Sequence, residues 1–161
     1  MDTAPLRHAY GVLLDAATVA GSGDANPASP AGEWNADQIL AHVSLLSAAT
    51  IAAVSAVASG ANTTYDNRTA HDAWTIERLI VLADGNVGLQ DRIRRQGDAL
   101  CALGGPVLSE AELDTLVPAL LVSNGTLLVN QPMSLRDLLT GLADTELPGH
   151  TQQLLGSCAP R

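Results

Sequence analysis

The sequence predicts an all-α fold: a four-helix bundle with a short β-hairpin inserted before the last helix. Three observations carry this reading. Four long stretches repeat apolar residues every three to four positions, the period of a helix with one buried face. Polar cap residues stand before two of them, Asn35 with Gln38 and Ser134 with Asp137. Between the third and fourth stretches, Asn124-Gly125 joins two β-prone runs, the strongest short hairpin signal. A length of 161 residues suits one domain, 1–161, and no internal repeat is visible.

The first helix is expected from about Pro5 to Val19. Thr3 can cap it, and Pro5 falls in the first turn, where a missing N–H costs nothing. Leu6, Tyr10, Leu13, Leu14 and Ala17 form its apolar stripe, and Gly21-Ser22-Gly23 stops it. A surface loop rich in Gly, Pro and Ser follows to Gly32. Asn35 opens the second helix, with Trp34 placed to staple onto the first turn near Ile39. This helix runs to about Ala58, and His42 falls within its apolar stripe of Ile39, Val43, Leu46, Ala53 and Val57.

Residues 61–71 read as a polar loop. Asp72 or Thr75 can cap the third helix, whose apolar positions are Ile76, Leu79, Ile80, Leu82, Val87, Leu89, Ile93 and Leu100. Gly85-Asn86 and Gly88 weaken its middle, so a kink or break is expected there. Gly104-Gly105-Pro106 ends it. Ser109 to Glu112 opens a short turn or helix, and the hairpin follows, ended by Pro132. The fourth helix spans roughly Ser134 to Leu155. Pro148 cannot donate a backbone hydrogen bond and clashes with the carbonyl of Asp144 in a regular helix, so a kink near Asp144-Thr145 or a restart near Glu146 is expected.

Composition narrows the function classes. Apolar residues make up 47% of the chain, yet aromatics are only 2% and Phe is absent, so core volume must come from Leu, Val, Ile and Ala. All eight basic residues are Arg, and the net charge is −9. That balance argues against nucleic-acid or anionic-membrane partners, which need a basic footprint. The apolar run from Val43 to Val57 is shorter than the roughly 20 residues of a membrane span. The first ten residues lack the pattern of a signal peptide, so a cytoplasmic protein is expected. The two cysteines, Cys101 and Cys158, make no disulfide framework and are expected reduced.

The chemistry-bearing pattern lies on the last helix. Glu146 and His150 are four residues apart, which puts both side chains on one helix face with Cβ atoms roughly 6 Å apart. His42, on a facing helix, supplies a third candidate metal ligand. Two neutral imidazoles and a carboxylate suit Zn²⁺, with Ni²⁺ or another divalent ion as alternatives. Three protein ligands leave a coordination position open, the catalytic rather than the structural pattern. His71 is expected to be a loop or pre-cap residue, although its loop can reach the mouth of such a site. His8 has no partner pattern. No phosphate loop and no nucleophile-elbow motif occurs.

The segment WNADQILAHV around His42 and the segment LRDLLTGLADTELPGHTQQL around Glu146 and His150 carry a family resemblance. With the order of elements, they make the chain resemble the DinB/YfiT-like superfamily, and within it the N-terminal domain of mycothiol-dependent maleylpyruvate isomerases. That branch has Glu-x-x-x-His on its last helix where many relatives have His-x-x-x-His. The resemblance implies His42, Glu146 and His150 as ligands of a divalent metal. It also implies a low-molecular-weight thiol such as mycothiol as cofactor, and an S-transfer or isomerisation reaction on a small-molecule substrate. Bundles of this kind commonly dimerise, so a second copy of the chain is a candidate partner. The competing expectation is a non-catalytic binding or dimerisation module that keeps the fold without a working metal site.

Overall fold

The structure, a computed structural model, describes residues 1–21, 33–123 and 125–157. The expected loop after Gly21, the turn residue Asn124 and Cys158 lie outside the described residues. The described chain is mostly helical, with a small three-stranded sheet.

The expected caps of the second, third and last helices form, whereas at the first helix it is the Asp2 carboxylate that accepts the Ala4 N–H, at 2.8 Å. Helix α1 spans Ala4–Gly21, starting one residue before the expected Pro5. Helix α2 spans Ala36–Ala58 and opens on a full capping box: Gln38 N–H donates to Asn35 Oδ1 at 2.9 Å, and Asn35 N–H donates to Gln38 Oε1 at 3.0 Å. Helix α3, Ala73–Ala83, is capped by Asp72, which accepts from Thr75 N–H at 2.8 Å. Each bond satisfies a donor that a helix N-terminus otherwise leaves orphaned.

Helices α2 and α4 (Gly85–Ala102) pack on one another, and α1 packs on α4 and on α7 (Leu147–Ser157). The core between them is aliphatic, with Leu6, Leu13, Leu40, Leu89, Ile93 and Leu100 fully buried. Its aromatic exceptions bring their hydroxyls to α2: Tyr10 shares a hydrogen bond with Ser47 at 2.7 Å, and Tyr65 lies 3.4 Å from Thr50 Oγ1. The Thr50 hydroxyl also lies 2.9 Å from the Leu46 carbonyl, to which it donates. Gly97 lets α4 approach the Tyr10 ring; a Cβ there would lie 2.9 Å from ring carbons. As a whole helix, α2 is long and apolar enough to cross a membrane, but 61% of its apolar window is buried inside the fold, as in a core helix.

The break expected in the third helix is complete. Asp84 takes a left-handed conformation at φ 61°, and Gly85 follows at φ 77°. Gly88 tucks under the end of α3, where a Cβ would fall 1.7 Å from the Ala83 carbonyl oxygen. The break turns Leu82 and Val87, read as part of one apolar face, out to solvent.

A short helix α5, Glu110–Leu113, precedes the sheet, in which β1 (Tyr65–Asp66), β2 (Leu116–Ser123) and β3 (Thr126–Ser134) lie in that order. The hairpin closes at Gly125, whose φ of 72° suits the expected tight turn. Two expectations are corrected. Pro132 does not end the hairpin: it stands opposite Pro118 and β3 continues to Ser134, because β3 is an edge strand, where a missing N–H faces no partner. Residues 61–71 are not only loop, since Tyr65 and Asp66 pair in parallel with Ala119 and Leu120, and Arg68–His71 forms a 3₁₀ turn.

The last helix does not restart, and the irregularity expected near Asp144-Thr145 takes the form of a π-turn. Helix α6, Leu135–Gly141, passes through a π-helical turn, Leu142–Glu146, into α7 with helical backbone angles at both junctions. Leu147 N–H bonds the Leu142 carbonyl, five residues back. The wider turn absorbs one extra residue just ahead of Pro148, which has no N–H to offer.

Candidate metal centre

Three elements converge on one point. His42 stands on the second turn of α2, fully inside the core. Glu146 closes the π-turn, and His150 sits in the first turn of α7. One donor atom from each of the three lies within 4.8 Å of the other two, so the group can hold a metal ion. The expected ligand set is therefore brought together across a sequence separation of about a hundred residues.

The imidazoles are oriented by bonds to their other nitrogens. His42 Nδ1 lies 2.7 Å from the Ala70 carbonyl, which can only accept, so Nδ1 carries the proton and Nε2 keeps its lone pair. His150 Nδ1 lies 2.8 Å from Gln153 Oε1, with the same consequence. Outer partners of this kind fix tautomer and ring orientation in metal-ligating histidines. His150 Nε2 is then a buried acceptor with no hydrogen-bond partner. Glu146 Oε2 is 3.7 Å away, beyond hydrogen-bond range, and the two form an ion pair only when His150 is protonated. That separation is close to the roughly 3.4 Å between two ligands of one tetrahedral ion with bonds of about 2.1 Å.

Burial, reinforced by His150, pushes His42 down to about 3, against the Ala70 hydrogen bond, which acts the other way. A protonated His150 would hold the Glu146 carboxyl below the ordinary range, against the opposing effect of burial. At neutral pH the site thus offers bare imidazole nitrogen beside an ionised carboxylate, the protonation states that metal ligation requires. The Tyr65 hydroxyl is raised by burial, and the Glu146 charge adds to the effect.

The structure adds residues that sequence reasoning assigned elsewhere. His71 brings its ring within 4.7 Å of the His42 ring, and His150 lies at the same distance on another side. Of the four histidines, three therefore meet at one place; His8 is exposed on α1. Trp34, expected over Ile39, lays its ring 4.7 Å from His42 and 5.9 Å from His71. No spacing links Trp34 or His71 to the last helix, and only the fold of residues 65–71 onto the sheet brings His71 in. Asp144 is exposed, and Cys101 is buried and free. A shallow groove of about 500 Å³ lined by Ile51, Arg92, Arg95 and Gln96 is a separate feature. Ile51 is nine residues on from His42, about two and a half turns, which puts it on the opposite face of α2.

Comparison with known protein families, with curated proteins and with solved structures found no match to the chain. The reading of the site rests on its own geometry.

Proposed function

We propose that the chain is a divalent-metal-binding protein of the DinB-like four-helix-bundle type, with His42, Glu146 and His150 as ligands of a Zn²⁺-class ion. One observation carries the proposal: His150 Nε2 is buried, holds a lone pair, and has no hydrogen-bond partner, while a second oriented imidazole and a carboxylate face the same point. A buried polar atom left unpaired costs about 1–3 kcal/mol, a cost that ion binding would remove.

Two imidazoles and one carboxylate leave a bound dication with about one net positive charge and an open position. Such an ion binds a thiol as its thiolate, so a low-molecular-weight thiol of the mycothiol type is the proposed cofactor, and S-transfer or isomerisation of a small electrophile the proposed reaction. The protein's own residues supply the rest. Ala70 and Gln153 hold the two imidazoles in their ligating tautomers. Trp34 lays an apolar ring beside His42, which keeps bulk water from that side of the site.

Elemental analysis of tag-free protein tests the proposal, beside His42→Ala and His150→Ala. About one divalent ion per chain in the wild type, lost in both variants, is the expected result. No ion in the wild type, even after incubation with Zn²⁺ or Ni²⁺, would sink the assignment and leave a non-catalytic helical module.

A further inference from the structure

The 3₁₀ turn that ends at His71 is anchored twice, on α2 through the Ala70 carbonyl and on the hairpin through Asn67. Asn67, itself buried, donates from Nδ2 to the Val122 carbonyl at 3.0 Å and accepts from Val122 N–H through Oδ1 at 2.8 Å. The pair copies a strand's hydrogen bonding and extends the edge made by β1 beside β2. Asn67 Nδ2 also lies 3.5 Å from His71 Nε2. His71 is thus held from behind while its ring meets His42 edge-on and lies beside Trp34.

His71 is excluded from the trio whose donor atoms all approach within 4.8 Å. In exposure it stands between the closed-in imidazoles of His42 and His150 and the exposed carboxylate of Glu146. A ring in contact with one ligand yet outside the trio is placed to meet something bound to the ion rather than the ion itself. We propose that His71 is a positioning residue: its imidazole hydrogen-bonds the small anionic ligand, a thiolate or hydroxide, that takes the open position of the ion held by His42, Glu146 and His150. This rests on the metal-binding reading and adds to it a reason for ligand preference. A bound anion that accepts a hydrogen bond from His71 is favoured over one that cannot.

The competing explanation is that His71 only fills space between Trp34 and His42. His71→Leu keeps apolar volume there and removes the hydrogen bond, whereas His71→Gln keeps a hydrogen-bonding group. The experiment loads wild type and both variants with Co²⁺ and follows the visible spectrum. It then titrates 2-mercaptoethanol and reads the thiolate-to-cobalt charge-transfer band, with thermal unfolding to confirm that each variant folds.

The expected result is one Co²⁺ per chain in all three proteins, with the same ligand-field spectrum before thiol is added. The apparent dissociation constant for the thiol should then rise about tenfold or more in His71→Leu, the size of one charge-assisted hydrogen bond, and recover substantially in His71→Gln. Equal thiol affinity in wild type and His71→Leu would overturn the inference and leave the metal site intact. Loss of stoichiometric Co²⁺ in either His71 variant would overturn it differently, by making His71 a ligand. Failure of the wild type to take up Co²⁺ would remove the metal reading itself, a result visible before any variant is compared.

Discussion

Acid should destabilise the metal-free protein through His42 in a pH range where no carboxylate yet titrates. The ring is fully buried, and its folded pKa is pushed down to about 3. In the unfolded chain it returns to about 6.5. A group with a depressed folded pKa and a cationic protonated form binds its proton only on unfolding, so stability falls as pH drops below the unfolded value. Each pH unit below about 6.5 costs about 1.4 kcal/mol, so roughly 2 kcal/mol is lost by pH 5. The figure does not depend on the folded value as long as that stays below about 4. Glu146 acts below this window: its pKa is lowered, so its stabilising contribution fades only as pH falls through the carboxylate range. His71, also lowered by burial, adds in the same sense as His42 and is common to both proteins compared. The assay is urea denaturation of chelator-treated wild type and His42→Gln at pH 7 and pH 5. Gln keeps a donor for the Ala70 carbonyl and cannot titrate. The wild type should lose roughly 2 kcal/mol more than the variant between the two pH values. Parallel losses would refute the argument, because His42 would then be protonated equally in both states.

Three further outcomes follow from packing and hydrogen bonding. Gly97→Ala should destabilise by roughly 1–3 kcal/mol in urea titrations, because its Cβ would meet the Tyr10 ring at 2.9 Å; an unchanged midpoint would mean that α1 and α4 have room to separate. Tyr10→Phe should cost roughly 1–2 kcal/mol, since it leaves the buried Ser47 hydroxyl without its 2.7 Å partner; a neutral result would place water at Ser47. Asn67→Ala removes both bonds to Val122 and should speed hydrogen exchange at Val122 N–H while leaving the α1–α4 core protected; uniform change across the fold would show that the hairpin and core unfold as one unit.

Much of this molecule is legible locally. The Asn35–Gln38 box, the Asp72 and Ser134 caps and the hairpin turn at Gly125 are short-range devices, each written within a few residues, and each falls where the sequence places it. Where Asn124 itself lies is outside the described residues. The candidate ligand trio was legible for a different reason: a histidine in an apolar stripe and an acid–histidine pair at helical spacing are both anomalies against a Leu- and Ala-rich background. Strand β1 was not legible. A two-residue strand is too short to show alternation, and it exists because Tyr65 and Asp66 can pair with Ala119 and Leu120 more than fifty residues later. The expectation that the His71 loop can reach the site holds, but not how it does so, since its position depends on that pairing and on Asn67.

The π-turn is the instructive case, because its signal was present and took a form that a regular helical wheel misreads. Leu139, Ala143, Leu147 and Thr151 are all buried, and each follows the last by four residues. A regular helix advances 100° per residue, so three such steps drift by about 120° and would carry Thr151 off the face that Leu139 defines. One extra residue in a π-turn takes back about 100°, which restores the stripe to within about 20°. The turn, Leu142–Glu146, contains the second of these residues and ends just before the third. It answers two constraints at once: it keeps an unbroken apolar stripe with four-residue spacing, and it widens the turn ahead of Pro148. Glu146 and His150 share that spacing, so the register that keeps Leu147 and Thr151 in the core also sets both ligands along its edge, facing His42. Packing of the last helix and geometry of the site are therefore one constraint. A change that straightened residues 142–146 into α-helix would rotate both ligands away from His42 by about a quarter turn or more, even with every ligand residue intact.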